Sequence, residues 1–241
     1  GDGSDTLTVT AVEYDGTQIL DGGDDASSAD GMIDALTLGG ATVAANGATV
    51  SNWEVLAFDA GATVTLTDIV TETVTASCGG STTLDGASAA NDVLGCASDD
   101  TIVIDGDTVI ANAIEGAGGD DTISVLGNAS VATVNVAGDG SDASALTDAG
   151  NTVLVNTTGT VGTVLGGEQA DAITLTAGTV DAVLTGGGND TIVADGADVA
   201  SIDAGAGDDI ATWSAGAVGS IAMGDGSDTL TVTAVEYDGT Q

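Results

Sequence analysis

The chain has 241 residues, of which 38 are acidic and none is Lys, Arg or His, so its formal net charge is -38. With no cation for phosphate groups, the composition excludes direct electrostatic binding of nucleic acid or anionic membranes, and it excludes triad or Schiff-base catalysis. Pro is absent and aromatic residues make up 2%, but a hydrophobic content of 42% argues against disorder, and no apolar run is long enough to span a membrane.

The first predicted element is a Gly-Asp turn followed by a strand, GDGSDTLTV from Gly1. The eighteen residues 1–18 recur unchanged as residues 224–241, at an offset of 223. A fixed long period is typical of tandem arrays, so this identity favours tandem units of 223 residues. A local duplication, or an overlap between the two ends of the sequence, is the alternative. In an array, the surroundings of Asp5 and Asp228 are expected to be alike, apart from what is missing at the two cut ends.

The next region, residues 26–97, has a less regular pattern. Alternating runs such as residues 62–67 predict strands, but the sequence leaves open whether they form degenerate coils or a small inserted β subdomain. Cys78 and Cys96 are separated by about one coil. Stacked coils are about 4.8 Å apart, within the Cα range of about 4.4–6.8 Å for a disulfide, and an oxidising exterior would allow the bond. We therefore expect a disulfide, with two small buried thiols as the alternative.

From residue 98 onwards, the motif Gly-x-Gly-x-Asp followed by a strand-like run recurs, as in GGGNDTIVA from Gly186 and GAGDDIATW from Gly205. Most of its aspartates are about 19–21 residues apart, which is too short for a helical repeat pair and fits one coil with two short strands and two turns. The sequence therefore predicts an all-β fold, a parallel β-solenoid (β-roll or β-helix). We divide it into residues 1–25, 26–97 and 98–241, the last being the regular part.

The chemistry of the motif points to calcium. Glycines permit positive φ and close backbone approach, the aspartate supplies a carboxylate, and Ca²⁺ requires six to eight oxygen ligands, more than one turn provides. Two turns stacked one coil apart can provide them. The predicted ligands are Asp5, Gly119, Asp121, Gly140, Asp142, Gly188, Asp190, Gly207, Asp209, Gly226 and Asp228. In the degenerate copies at Asp25, Asp100 and Asp171, metal binding and a plain turn role both remain open.

At these residues the chain resembles the RTX repeat GGxGxDxUx, and TGGGNDTIV from Thr185 is the closest match. The resemblance implies a parallel β-roll with calcium held between turns. It also implies a large extracellular bacterial protein exported by type I secretion, such as a toxin, protease, adhesin or S-layer protein. Because only one turn in each coil carries the motif, we expect calcium along one edge only. Phrases around Glu13, Glu54 and Glu115 also resemble those of RTX-type S-layer proteins.

The leading interpretation is a structural calcium-binding module of an extracellular surface layer, filament or giant adhesin. It would associate end to end with further copies, with a cell-surface polysaccharide as a candidate ligand, and would not be an enzyme. The alternatives are a polysaccharide-acting β-helix enzyme with two catalytic carboxylates and the passive stalk of a secreted enzyme or toxin. Threonine runs at residues 6–10 and 63–67 are interpreted as the solvent face of ordinary strands rather than an ice-binding face, because the run does not recur from coil to coil.

Overall fold

The structure is a computed structural model that describes residues 4–10, 18–23, 29, 32–136 and 150–233. Within these ranges all the named elements are strands, and no helix has the length and apolar character needed to cross a membrane. The strands are β1 Thr6–Val9, β2 Leu20–Asp21, β3 Ala35–Leu38, β4 Thr42–Asn46, β5 Val50–Ser51, β6 Val55–Phe58, β7 Thr63–Thr67, β8 Thr73–Thr75, β9 Ser81–Asp85, β10 Ala89–Cys96, β11 Thr101–Ile104, β12 Val109–Ala117, β13 Thr122–Gly127, β14 Ser130–Asn135, β15 Thr152–Gly167, β16 Ala172–Gly186, β17 Thr191–Asp195, β18 Asp198–Asp203, β19 Ile210–Ala215, β20 Val218–Ala222 and β21 Thr229–Val232.

All the pairings are parallel, and they stack the chain as a β-solenoid of about nine turns, which confirms the predicted fold class. Two faces alternate along the chain. The first face contains β1, β3, β6, β8, β10, β12, β14, the C-terminal halves of β15 and β16, β18 and β20. The second face contains β4, β7, β9, β11, β13, the N-terminal halves of β15 and β16, β17, β19 and β21.

Two edges join the faces. We call the connections from the first face to the second the first edge, and the return connections the second edge. The short strand β5 lies in the second-edge connection between β4 and β6. The short strand β2, which lies between β1 and β3, pairs with it. The strands between Ala35 and Cys96 pair with β1 on one side and β12 on the other, so the described part of residues 32–97 consists of coils in the same stack.

The core is a thin layer of aliphatic side chains between the faces. Successive residues of a strand point to opposite sides, and on the second face the inward positions form a continuous column that includes Ile102, Ile123, Val153, Ile173 and Ile192, each at most 1% exposed. An equivalent column on the first face runs through Val74, Val93, Ile114, Val134, Val164, Val183 and Ile202. β-Branched residues dominate both columns, which suits a flat pleated surface.

A disulfide joins Cys78, in the first-edge turn after β8, to Cys96, at the end of β10 in the next coil, with the Cα atoms 5.5 Å apart. The bond therefore ties two neighbouring coils at the first edge. Because it closes a loop of 18 residues, it restricts the unfolded chain as well as the folded one.

The motif glycines allow the coils to approach each other at the first edge. Gly205 has φ +86°, and a Cβ built on it would lie 2.0 Å from the carbonyl oxygen of Gly186 in the coil before. The approach at Gly207 is still closer, because a Cβ built on it would lie 1.6 Å from the carbonyl oxygen of Gly188. No side chain fits there without moving the backbone, so glycine stacked on glycine sets the coil spacing at this edge.

Replacing Gly205 should therefore cost more than its positive φ alone. We expect Gly205→Ala to lose at least about 2 kcal/mol more stability than Gly61→Ala, because a left-handed alanine costs only about 1–2 kcal/mol by itself. Gly61 is the matched control: its φ is +72° and a Cβ there meets nothing within 4 Å. Urea denaturation of the two variants measures the difference, and equal losses would contradict the close-approach argument.

Removing the disulfide should destabilise the chain without changing the fold. Loop-closure entropy gives about 3 kcal/mol for a loop of this size. We expect the double variant Cys78→Ser, Cys96→Ser to lose about that amount in urea denaturation while keeping its β-sheet circular dichroism spectrum. The wild-type chain treated with reductant should lose stability by the same amount. A double variant as stable as the oxidised wild type would contradict a stabilising bond.

Candidate functional site: the first-edge ladder

A continuous ladder of hydrogen bonds runs along the first edge. Its rungs, which we call the first-edge ladder, are Asp100, Asp121, Asn151, Asp171, Asp190, Asp209 and Asp228. At each step a backbone amide donates to the side-chain Oδ1 of the next rung: Asp171 to Asp190 at 2.8 Å, Asp190 to Asp209 at 2.8 Å and Asp209 to Asp228 at 3.1 Å. The three earlier steps, from Asp100 to Asp171, are each 2.9 Å. Each rung directly precedes a strand of the second face.

This ladder brings together most of the predicted ligands. Asp121, Asp190, Asp209 and Asp228 lie on it, as do Asp100 and Asp171 from the degenerate copies. The predicted glycines of the same turns all have positive φ: Gly119, Gly188, Gly207 and Gly226. Asp25, Gly140 and Asp142 lie outside the described residues. The motif and the coil length together therefore stack these turns one above another.

The sequence did not predict Asn151 as a rung. The spacing of the motif predicted Asp142 as the rung after Asp121. The register pairs Thr122 with Thr152, so the next coil begins at residue 152 and the chain between Val136 and Gly150 is additional length in this connection. The signal was present in Asn151-Thr-Val-Leu-Val, which has the same form as the strand after Asp190. The natural asparagine shows that a rung requires a hydrogen-bond acceptor and not a charge.

The second carboxylate oxygens of the ladder differ from the first. Oδ2 of Asp171, Asp190 and Asp209 is buried and makes no hydrogen bond. Asp100 contrasts with them, because its Oδ2 accepts the amide of Cys96 at 2.7 Å and its Oδ1 accepts the amide of Gly79 at 2.6 Å. A buried carboxylate oxygen without a donor is costly unless a proton or a cation compensates it.

Burial shifts the titration of these groups. It raises the pKa of Asp171 from 3.8 to about 6, although the amide of Asn151 opposes the rise and the neighbouring charge of Asp190 adds to it. Burial also raises the pKa of Asp190, although the hydrogen bond from the amide of Asp171 lowers it in part. Burial raises the pKa of Asp100 in the same way, and the amides of Cys96 and Gly79 oppose that rise. The nearby hydroxyl of Thr185 also lowers the pKa of Asp190. That hydroxyl donates its proton to the Ala204 carbonyl at 2.7 Å, so Oδ2 of Asp190 remains without a hydrogen-bond donor.

An exposed row of oxygens runs outside the buried one. Before three of the rungs, the preceding side chain accepts an amide from the next coil: Asp99 from Asp120 at 3.0 Å, Asn189 from Asp208 at 2.8 Å and Asp208 from Ser227 at 2.9 Å. The first edge therefore presents a buried and an exposed oxygen in the turns that contain Asp190 and Asp209. The same turns contain backbone carbonyls, and those of Gly186 and Gly205 each accept one amide of the next coil at 2.8 Å.

Asp5 does not lie on this edge, so motif turns occur at both edges, and calcium along one edge only stays a prediction. The amide of Asp5 donates to Asp34 Oδ1 at 2.6 Å, and the amide of Asp34 donates to Glu54 Oε2. We call these three residues the second-edge ladder, since each precedes a strand of the first face. Asp34 and Glu54 were not predicted as site residues, although Glu54 stood in one of the phrases singled out in the sequence.

The two identical segments lie at opposite ends of the described stack, and each shows only one of the two neighbours that a strand inside an array would have, so the expectation that Asp5 and Asp228 have alike surroundings stays a prediction. β1 pairs with β3 on the first face, whereas β21, of the same sequence TLTV, pairs with β19 on the second. Both strands follow a rung of an amide-to-carboxylate ladder, but on opposite edges. The segment carries a strand pattern that suits either face, and the adjoining coil decides which face it joins.

No family model matches the chain, and no curated protein or solved structure is significantly similar to it. The RTX resemblance therefore rests on the motif alone.

The raised carboxyl pKa values predict an unusual pH dependence in the absence of metal. The folded state holds the Asp171 proton more tightly than the unfolded chain does, so stability is fully present at about pH 4 and is lost as the pH rises to about 6. We expect urea midpoints in EDTA to be lower at pH 7 than at pH 4, with at most about 3 kcal/mol from Asp171.

The matched variant is Asp171→Asn, which keeps the acceptor for the amide of Asn151 and removes the titrating group. Its stability should fall less between pH 4 and pH 7 than that of the wild type. A wild-type stability that rises over this interval, or an unchanged slope in the variant, would contradict the assignment.

Proposed function

We propose that this chain is a structural, calcium-stabilised repeat module of an extracellular bacterial assembly: a surface layer, filament or giant adhesin of RTX type, exported by type I secretion. The observation that supports the proposal best is the row of buried carboxylates on the first-edge ladder, whose second oxygens at Asp171, Asp190 and Asp209 have no hydrogen-bond donor. The chain contains no Lys, Arg or His that could compensate them.

The donor set fits a hard divalent cation. A cation for these oxygens has to come from solution, and carboxylate with carbonyl oxygens is the ligand set that Ca²⁺ prefers. Each turn carbonyl that accepts one amide of the next coil keeps a second lone pair. Among the described residues, no three or more acidic or cysteine side chains converge as a metal-binding group, so a site here would combine few carboxylates with backbone carbonyls. Bound calcium would neutralise the stacked charges and hold neighbouring turns at their spacing.

A mechanical role agrees with the form of the molecule. The described coils build one stack with a continuous aliphatic core, and the buried acidic residues Asp34, Glu54, Asp100, Asp121, Asp171, Asp190 and Asp209 precede strands at the two edges. We therefore propose a structural function rather than catalysis on polysaccharide. The disulfide between Cys78 and Cys96 favours an oxidising location outside the cytosol. Self-association and attachment to a cell-surface polysaccharide belong to the same proposal.

Calcium binding is tested by Asp190→Asn. The asparagine keeps an acceptor for the amide of Asp171, as Asn151 does for Asp121, but lacks the carboxylate charge. We expect the variant to remain folded without metal and to bind fewer calcium ions in isothermal titration calorimetry. Calcium should also raise its thermal midpoint by less, because ligand binding to the folded state alone stabilises it in proportion to affinity.

The control is Asp203→Asn, an exposed carboxylate on the first face, which should keep the wild-type stoichiometry. Two results would contradict the proposal: a wild-type chain whose stability and β-sheet content are the same in calcium and in EGTA, or unchanged calcium stoichiometry in Asp190→Asn. Hydrolysis of acidic or neutral polysaccharides by the wild-type chain would instead favour the enzyme alternative.

A further inference from the structure

The outward side chains of the second face form two columns that pass through every coil. The first column is Thr42, Thr63, Ser81, Thr101, Thr122, Thr152, Ala172, Thr191, Ile210 and Thr229. The second is Ala44, Thr65, Thr83, Val103, Ser124, Leu154, Thr174, Val193, Thr212 and Thr231. Single threonines thus recur at equivalent positions, which the unequal coil lengths hide until the register is known. The three-threonine run of residues 63–67 is not repeated in the next coil, where Ser81, Thr83 and Asp85 take its positions.

These columns contain no charged and no aromatic residue, although 38 of the 241 residues are acidic. The nearest outward carboxylates of the second face are Asp85 and Asp195, the last residues of β9 and β17, one outward position beyond the columns. On the first face, Asp92 and Glu115 lie within their strands. Both ladders of carboxylates lie at the edges. The two columns thus form a neutral strip of hydroxyl and aliphatic groups, flanked by acidic residues, on a molecule of net charge -38.

We infer that the second face is a lateral interface between two copies of this chain. The inference deepens the proposed function, because it names the surface through which copies of the chain would associate. It rests on the proposed function only in placing the dimer within an extracellular assembly. Two chains of this charge repel each other wherever their acidic edges meet. The neutral strip formed by the two columns is the part of the second face at which two copies can contact each other without a carboxylate in the contact.

The size of the surface is sufficient for such a contact. Ten strands at about 4.8 Å spacing and four residues of about 3.3 Å rise give a patch of roughly 43 by 13 Å. Two such patches face to face bury roughly 1,100 Å², just above the roughly 1,000 Å² expected of a specific interface. A pair related by a two-fold axis would use the same patch on both copies. Threonine and valine side chains have few rotamers, so they lose little entropy when they interdigitate.

An interface of this size is weak for one pair, and several copies linked in series would strengthen it by multivalency. Its chemistry excludes a sugar stacked on aromatic rings, because the columns contain none. Ordered water at an ice surface is the other occupant that a regular hydroxyl array could accept, but the aliphatic Val103, Leu154, Val193 and Ile210 interrupt the hydroxyl rows and favour a protein surface.

The test is sedimentation equilibrium of the wild-type chain and two double variants in calcium and, separately, in high salt with EGTA. Thr122→Glu with Thr152→Glu places two carboxylates on neighbouring coils of the second face. Thr133→Glu with Thr163→Glu is the matched control on the first face, in the same two coils. We expect a wild-type dimer, at least a tenfold weaker dimer in the second-face variant, and wild-type behaviour in the control.

Circular dichroism and calcium titration of the same samples separate this inference from the proposed function. A dimer that persists in high salt without bound calcium supports the interface while the calcium proposal fails. A wild-type chain that is monomeric at all concentrations in both solutions overturns the interface, as does a control that weakens the dimer equally. A monomer that is enriched in growing ice, in an ice-affinity partition, also overturns it and assigns the face to ordered water.

Discussion

The fold depends on one repeated contact, the hydrogen bond from a backbone amide at an edge of one coil to a carboxylate or carboxamide oxygen of the next. It occurs where the strand ladder is interrupted by a turn, and there it provides the acceptor that the amide would otherwise lack. A short acidic side chain at the start of a strand is well suited to this role. Repeating it from Asp100 to Asp228 keeps the first edge in register although the connections differ in length.

The same contact creates the electrostatic problem of the molecule. Each aspartate used as an acceptor adds a charge that stacks above the last, and three of them retain a buried oxygen with no donor. The chain has no basic residue with which to offset these charges. Asn151 shows that a neutral acceptor serves the geometry equally well, so the preference for aspartate at the other rungs points to something that requires the charge. A cation from solution satisfies that requirement, and a proton satisfies it only at acidic pH.

Sequence reasoning found the solenoid because the motif is nearly strictly spaced from Asp171 to Asp228, with one strand after each turn. It found the ladder positions for the same reason. It failed where chain length was added within a turn: Asn151 lies 30 residues after Asp121, so a spacing rule chose Asp142. It also missed Asp34 and Glu54, because no glycine motif precedes them, and only the pairing of β3 with β6 shows that they stack. Periodicity predicts which residues precede strands, whereas the register that decides which of them meet depends on long-range pairing.

The threonine columns follow the same logic and explain how one strand sequence fits both faces. TLTV offers two hydroxyl side chains to one side and two aliphatic ones to the other, and that alternation matches the first face at β1 and the second face at β21. In an uninterrupted array of identical units, a single copy of this strand would have to follow β19 on the second face and precede a copy of β3 on the first. Both pairings can be made at once, because β19 and the copy of β3 lie on opposite sides of that strand, so the second face of one unit would continue as the first face of the next. The first-edge ladder of one unit, which ends at Asp228, would then continue without a break into the second-edge ladder of the next unit, which starts at the residue equivalent to Asp5.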